Sequence, residues 1–183
     1  IIKKLDSITI NKIAAGEIID RPVSILKELV ENAIDAHATT ITVDIKDGGK
    51  ESIKITDNGH GFYKEDLLLA PIRHTTSKIN VIDDLYNIDS FGFRGEALAS
   101  ICHCAKLSIT SKRANELAYY ITANQNDLSK ISTASHADGT TIEVAQLFHN
   151  QPVRKKFLKS SATELSYILE FCVNIALTHP EIK

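Results

Sequence analysis

Glu28, Asn32 and Asp35 gather on one side of any helix that runs on from residue 22. At about 100° per residue, Asn32 lies about 40° from Glu28 and Asp35 about 20° to its other side. Leu26, Val30 and Ala33 point to the opposite face. A carboxylate on such a face can activate water, and an amide oxygen is a hard ligand suited to Mg2+. A solvated polar face would carry the same residues, so this helix alone leaves both readings open.

Three further segments have types and spacing that suit a nucleotide. Asp57-Asn58-Gly59-His60-Gly61 follows a strand-like run. Its two glycines let backbone approach a ligand, and its aspartate can accept from an exocyclic amine such as that of adenine. An ordinary turn rich in Asp, Asn and Gly reads the same way. Phe91-Gly92-Phe93-Arg94-Gly95-Glu96-Ala97-Leu98 places glycines and an arginine just before a helix. Backbone N–H groups and the positive dipole end would there meet an anion. The Walker pattern is absent, so a nucleotide bound here is not held by a P-loop. Gly139-Thr140-Thr141-Ile142-Glu143-Val144 turns into a strand, where Thr140 either points into a pocket or serves as a β-former.

The elements that must position these residues follow from periodicity. Asp20-Arg21-Pro22 predicts a helix start with Asp20 as N-cap, and apolar spacing carries the helix through Ile34. Ile41 to Ile45 and Ser52 to Thr56 alternate around Asp47-Gly48-Gly49, which predicts a hairpin. A short helix is expected over Lys64 to Ala70, then a long polar loop from Arg73 to Phe91 with a short helix near Ile82 to Tyr86. Long loops in compact domains are often lids. A helix over Glu96 to Cys104 is followed by strands over Lys106 to Ser111, Leu117 to Ala123, Lys130 to Ala134 and Gly139 to Val144. Gln151 to Lys159 reads as a basic turn before a last helix, Thr163 to Leu177. The order predicts a two-layer α/β sandwich, helices on one face of a mixed, largely antiparallel sheet.

A chain of 183 residues, 43% hydrophobic and 24% charged, is long enough for one domain with a real core. No run approaches the ~20 apolar residues of a membrane helix, and no apolar stretch follows the first lysines as in a secretory signal. Net charge −2 excludes a wholly basic nucleic-acid binder but not a local patch. Such a patch is Arg154, Lys155, Lys156 and Lys159. Three cysteines without framework spacing point to a reducing compartment, and Cys102-His103-Cys104 reads as core rather than a metal box. The chain holds no methionine even at position 1, so its start is not expected to be a natural terminus.

The four segments, in this order, resemble the four motifs of the GHKL ATPases, and several strings are narrower than that superfamily. Lys12 to Pro22, Lys27 to Ala33, Gly92 to Leu98 and Asn150 to Leu158 resemble the signatures of MutL-type mismatch repair proteins. The resemblance spans nearly the whole chain and implies the Bergerat fold. It also implies that Glu28 is the general base, that Asn32 is the protein ligand to Mg2+, and that Asp57 reads the adenine amine with Thr140 beside it. Thr76, Ser77 and Lys78 would belong to the lid; Gly92, Phe93, Arg94, Gly95, Glu96, Ala97 and Leu98 would cradle the phosphates of ATP. His37 stands where the family usually has glycine, His149 replaces a common tyrosine, Gln151 replaces a common threonine, and His60 fills a variable slot.

The same resemblance implies a slow Mg2+-dependent ATPase that switches shape with its nucleotide. Residues 1–183 would be the first N-terminal subdomain; a second subdomain, which supplies a lysine to the γ-phosphate, and a C-terminal dimerisation domain would lie outside them. Implied partners are a MutS-type mismatch-recognition protein, DNA held non-specifically by its backbone, and a second copy, with ATP promoting N-terminal pairing. No membrane role is implied. The location would be cytoplasmic in a bacterium and nuclear in a eukaryote. A binding module with negligible turnover in isolation is the alternative.

Overall fold

The computed structural model describes residues 18–73, 75, 95–125 and 127–183. The first half contains α1 (Pro22–Asp35), β1 (Ile41–Lys46), a 3-10 turn (Asp47–Gly49), β2 (Ser52–Asp57), α2 (Lys64–Leu69) and α3 (Ala97–Cys104). It is followed by β3 (Lys106–Lys112), β4 (Ala118–Asn124), β5 (Asp127–Leu128), β6 (Ser132–Ala134), β7 (Gly139–Ala145), α4 (Pro152–Phe157) and α5 (Ser161–Thr178). The strands make one sheet in the order β1-β2-β7-β3-β4-β5, with β6 also on β4. Every pairing among the described residues is antiparallel.

Alternation sets which sheet face is covered. β1 buries Ile41, Val43 and Ile45 in part and exposes the residues between them. Register then aligns the inward positions of five strands into rows. One row is Val43, Ile55, Ile142, Ile109, Ile121; the next is Ile45, Ile53, Val144, Leu107, Ala123. α1 covers these rows with Pro22, Ile25, Leu26, Leu29, Val30 and Ala33. α3 adds Leu98, Ile101, Cys102 and Cys104, and α5 adds Ile168. Each fully buried aliphatic side chain contributes about 1.5–3 kcal/mol. The polar side of α1 is left facing away from this core, half-buried.

Several local expectations are corrected. The N-cap of α1 is Arg21, whose backbone is extended and which makes no side-chain cap bond. Asp20 instead accepts from Ser24 Oγ at 2.5 Å and from Arg21 Nε at 3.4 Å. The Arg21 guanidinium also lies 5.0 Å from the Tyr167 ring, which ties the start of α1 to α5. The stretch read as a basic turn contains α4, opened by Pro152 at its first position, with Arg154, Lys155 and Lys156 near its carbonyl end. α5 starts at Ser161 because Ser160 Oγ accepts from Thr163 N at 3.2 Å while Glu164 Oε1 accepts from Lys159 N at 2.8 Å. The strand expected over Lys130 to Ala134 is shortened to β6. The helix expected near Ile82 to Tyr86 lies outside the described residues.

His37 has φ 58, the left-handed region where a side chain is strained by about 1–2 kcal/mol. This accounts for glycine at that place in the resembled family. The ring of His37 meets that of His60 edge to face, with centroids 6.2 Å apart.

Candidate nucleotide site

The apolar rows of the sheet end in a polar one. Its members across β2, β7 and β3 are Asp57, Thr140 and Ser111, held opposite one another by register. All three are buried, at 9%, 5% and 1% exposure. Asp57 Oδ1 accepts from Gly59 N at 2.8 Å, and the Thr140 N–H also donates to the carboxylate. Burial pushes the Asp57 carboxyl above its ordinary value. The two backbone donors, His136 and His60 pull it down without cancelling that rise.

The loop after β2 is fixed by close backbone approach. A Cβ on Gly59 would meet Ala36 O at 2.7 Å, and one on Gly139, whose φ is +123, would strike the Asp57 carbonyl. His60 N donates to Ala36 O at 3.0 Å, which binds the loop to the end of α1. Asn58 braces it from the other side: Oδ1 accepts from Thr39 N at 2.8 Å and Thr40 N at 2.9 Å, and Nδ2 donates to Thr39 Oγ1 at 2.9 Å. Arg113 Nη1 donates to Gly61 O at 3.1 Å and its guanidinium lies 3.8 Å from the Tyr63 ring.

This contact orders the rest of the site along α1. Asn32 lies four residues before Ala36 and Glu28 eight, so they sit about 6 Å and about 12 Å back along the axis from the Asp57 loop. The Asp57 loop, Asn32 and Glu28 thus follow one another along the length of α1. Asn32 and Glu28 are half-buried, sheltered yet open on one side. An amide oxygen on a helix flank, with phosphate oxygens to complete the shell, fits Mg2+.

The segment expected to hold phosphate is described only in part. Thr76, Ser77, Lys78, Gly92, Phe93 and Arg94 lie outside the described residues. Gly95 has φ +60, and a Cβ there would strike the Thr75 carbonyl, so the residue before the helix is held in a conformation that favours glycine. Glu96 is the N-cap of α3 and makes no side-chain cap bond. Ala97 and Leu98 open the helix, whose first N–H groups have no intrahelical partner.

The far end of α3 shows what the Asn150 to Leu158 string does. Asn150 Nδ2 and Gln151 Nε2 donate to His103 O at 3.0 and 3.3 Å, and Phe148 N donates to Cys104 O at 2.7 Å. The string therefore clamps the carbonyl end of the helix whose other end is the phosphate candidate. Arg154 Nη1 donates to Ile19 O at 3.4 Å and its guanidinium lies 5.9 Å from the Phe148 ring. It is half-buried, whereas Lys155, Lys156 and Lys159 are exposed. Lys155 and Lys159 line a surface cleft of about 440 Å³ of mixed charge, with Lys50, Asp47, Glu51 and His149. Cys102 and Cys104 are core residues, their thiols pushed up to about 12 by burial.

Ser111 is the site residue that motif reading missed. Its only sequence signal is position: Leu107, Ile109 and Ser111 are the inward residues of one strand, and the third is polar.

A sheet closed by a buried acceptor, beside a helix that carries an amide and a carboxylate, defines a nucleotide-binding α/β sandwich. The family model for histidine kinase-, DNA gyrase B-, and HSP90-like ATPases matches residues 21–157, and the chain belongs to that family. The chain is 50% identical over 179 residues to the DNA mismatch repair protein MutL of Coxiella burnetii (strain RSA 493 / Nine Mile phase I), covering 97% of this chain and 31% of that protein. It is 49% identical over 183 residues to MutL of Thermosipho africanus (strain TCF52B), covering 100% of this chain and 32% of that protein. Among solved structures, the Aquifex aeolicus MutL ATPase domain complexed with ADP aligns with a TM-score of 0.71 at 33% identity, over 90% of this chain and 58% of that one. The MutL-type resemblance is met by these relatives, of whose length the chain spans about a third.

Proposed function

We propose that the chain is the ATP-binding and ATP-hydrolysing domain of a MutL-type DNA mismatch repair protein. The buried Asp57, whose loop bonds through His60 N to Ala36 one helical turn beyond Asn32, carries this reading. Asp57 accepts from the adenine 6-amino group, with Thr140 beside it. Asn32 holds Mg2+, which neutralises phosphate charge when bound. By the family resemblance, Thr76, Ser77 and Lys78 would belong to the lid and Gly92 to Leu98 would contact the phosphates. Glu28 accepts a proton from the water whose oxygen attacks the γ-phosphorus as ADP leaves. This is phosphoryl transfer by positioning and charge neutralisation.

Titration with ADP, with and without chelator, tests the site. Asn32→Ala is expected to bind ADP with no dependence on Mg2+, whereas the parent binds more tightly with the ion. A variant that keeps the full Mg2+ effect refutes the ligand role. The chain matches 58% of the neighbour that is complexed with ADP. Comparing binding with phosphate release in both lengths separates the enzyme from a nucleotide-gated binding module.

In the whole protein the nucleotide state would govern N-terminal pairing of two copies and contacts with a MutS-type protein and DNA, in the cytoplasm of a bacterium or the nucleus of a eukaryote. Lys155, Lys156 and Lys159 are the exposed cations for DNA phosphates; Arg154 is partly engaged by Ile19 and Phe148. Phosphate contacts release counterions, so binding is non-specific and weakened by salt. Lys155→Glu with Lys156→Glu is expected to flatten the log–log salt dependence by roughly two. Fluorescence anisotropy with labelled DNA across a salt series reads this. Parental binding at every salt concentration would reduce the patch to a solvated face.

A further inference from the structure

We infer that His37 and His60 together bind a divalent ion that favours imidazole, with Zn2+ as the probe. The inference does not rest on the nucleotide reading. The two histidines come from different segments: His37 follows the C-cap of α1, and His60 lies in the loop after β2. Their side chains are exposed, and their rings stand 69° from coplanar with centroids 6.2 Å apart. Both line a surface cleft of about 410 Å³ with Asn58, Arg113 and Asp138. His37 holds this place at φ 58, where glycine would be relaxed, so the backbone gives no reason for an imidazole here.

The hydrogen bonding of His60 suits a metal ligand. Gly61 O can only accept, so its 3.0 Å contact with His60 Nδ1 puts the proton of the neutral ring on Nδ1 and leaves the lone pair on Nε2. Histidines that ligate metals commonly donate their other ring N–H to a backbone carbonyl in this way. The distance also suits one ion. An ion about 2.0–2.1 Å from each ring nitrogen lies about 3.2 Å from each ring centre, so it can bridge centres up to about 6.4 Å apart. A tetrahedral angle sets the centres about 5.2 Å apart. The rings would close by about 1 Å to reach it, which exposed side chains can do. Among the described residues no third His, Cys, Asp or Glu completes the set, so water fills the remaining positions. Two imidazoles and water suit Zn2+, whereas Mg2+ takes oxygen ligands. The Arg113 charge is engaged nearby by Gly61 O and the Tyr63 ring. A bound ion would tie the end of α1 to the loop that carries Asp57, beside the existing bond from His60 N to Ala36 O.

The test is titration of the full chain, free of any affinity tag and of nucleotide, with Zn2+ in a calorimeter, beside thermal melting with and without the ion. The parent is expected to take up Zn2+ and to melt at a higher temperature with it, since an ion that binds the folded chain stabilises it. His37→Gly and His60→Gln are each expected to lower Zn2+ affinity about tenfold or more and to remove the rise in melting temperature. Both variants are expected to fold without the ion. Glycine relaxes φ at position 37, and His60→Gln keeps the backbone bond to Ala36 O. His149→Gln, which changes a histidine of another cleft, is expected to bind Zn2+ like the parent. A parent that takes up no Zn2+, or His37→Gly and His60→Gln variants that bind it as tightly as the parent, would reduce the pair to edge-to-face packing and overturn the inference. Loss of binding in His149→Gln would place the ion elsewhere and overturn it as well.

Discussion

Replacing Glu28 by alanine in the full-length protein is expected to lower phosphate release about 100- to 10,000-fold while leaving nucleotide affinity nearly unchanged. A general base at Glu28 would act on water rather than on the nucleotide, so its loss is expected in the rate and not in binding. The neighbouring carboxylate supplies a control. Glu31 is about 60° around the helix from Glu28 and is 3.9 Å from Lys27, an i,i+4 pair whose lysine is exposed and whose glutamate is mostly buried. Glu31→Ala is therefore expected to keep most of the turnover. Steady-state phosphate release beside equilibrium binding reads both variants, and unchanged turnover in Glu28→Ala would remove it from the mechanism.

Asp57→Asn is expected to separate function from stability. One acceptor oxygen becomes an amide donor facing the donor of the base, and a charge-assisted bond worth about 1.5–3 kcal/mol is lost. Affinity for ADP should fall roughly 10- to 100-fold. The fold should not suffer in the same way. Burial raises the Asp57 carboxyl in the folded chain, so folding disfavours its ionised form. That cost is fully present above the raised folded value and is relieved as pH falls through it toward the unfolded value. At neutral pH a neutral amide escapes the cost, and its remaining oxygen can still accept from Gly59 and Thr140. Melting temperature is thus expected to hold or rise while ADP binding drops. In the parent, ADP affinity is expected to weaken as pH falls through the same raised value, since the carboxylate loses its charge. A variant that loses stability and affinity together would mark Asp57 as a packing residue.

Much of the fold was legible because its forces are local. The alternation of Ile41 to Ile45, the glycine turn at Asp47 and the apolar spacing of α1 each report burial directly. Asp57 and Thr140 stand out in the sequence because glycines punctuate their segments, and Glu28 and Asn32 because helical spacing puts them on one polar face. Features set by register or by distant partners were not. Alternation puts Ser111 on the inward side with Leu107 and Ile109 but does not say what it meets there. Only the pairing of β3 with β7 places it opposite Thr140. Likewise a run of cations does not say which faces solvent. α4 separates half-buried Arg154 from the exposed Lys155 and Lys156, and the partners of Arg154 lie at Ile19 and Phe148. Asp20 missed its capping role because Ser24 and Arg21 offer its carboxylate other donors.

The central claim is that the polar row at the end of the sheet holds the base of an adenine nucleotide. A crystal structure of the chain with ADP tests it most directly. The adenine 6-amino group is expected within hydrogen-bond distance of the Asp57 carboxylate, with the phosphates running along α1 past Asn32 toward Glu28. ADP bound elsewhere, or with its base away from Asp57, would contradict it.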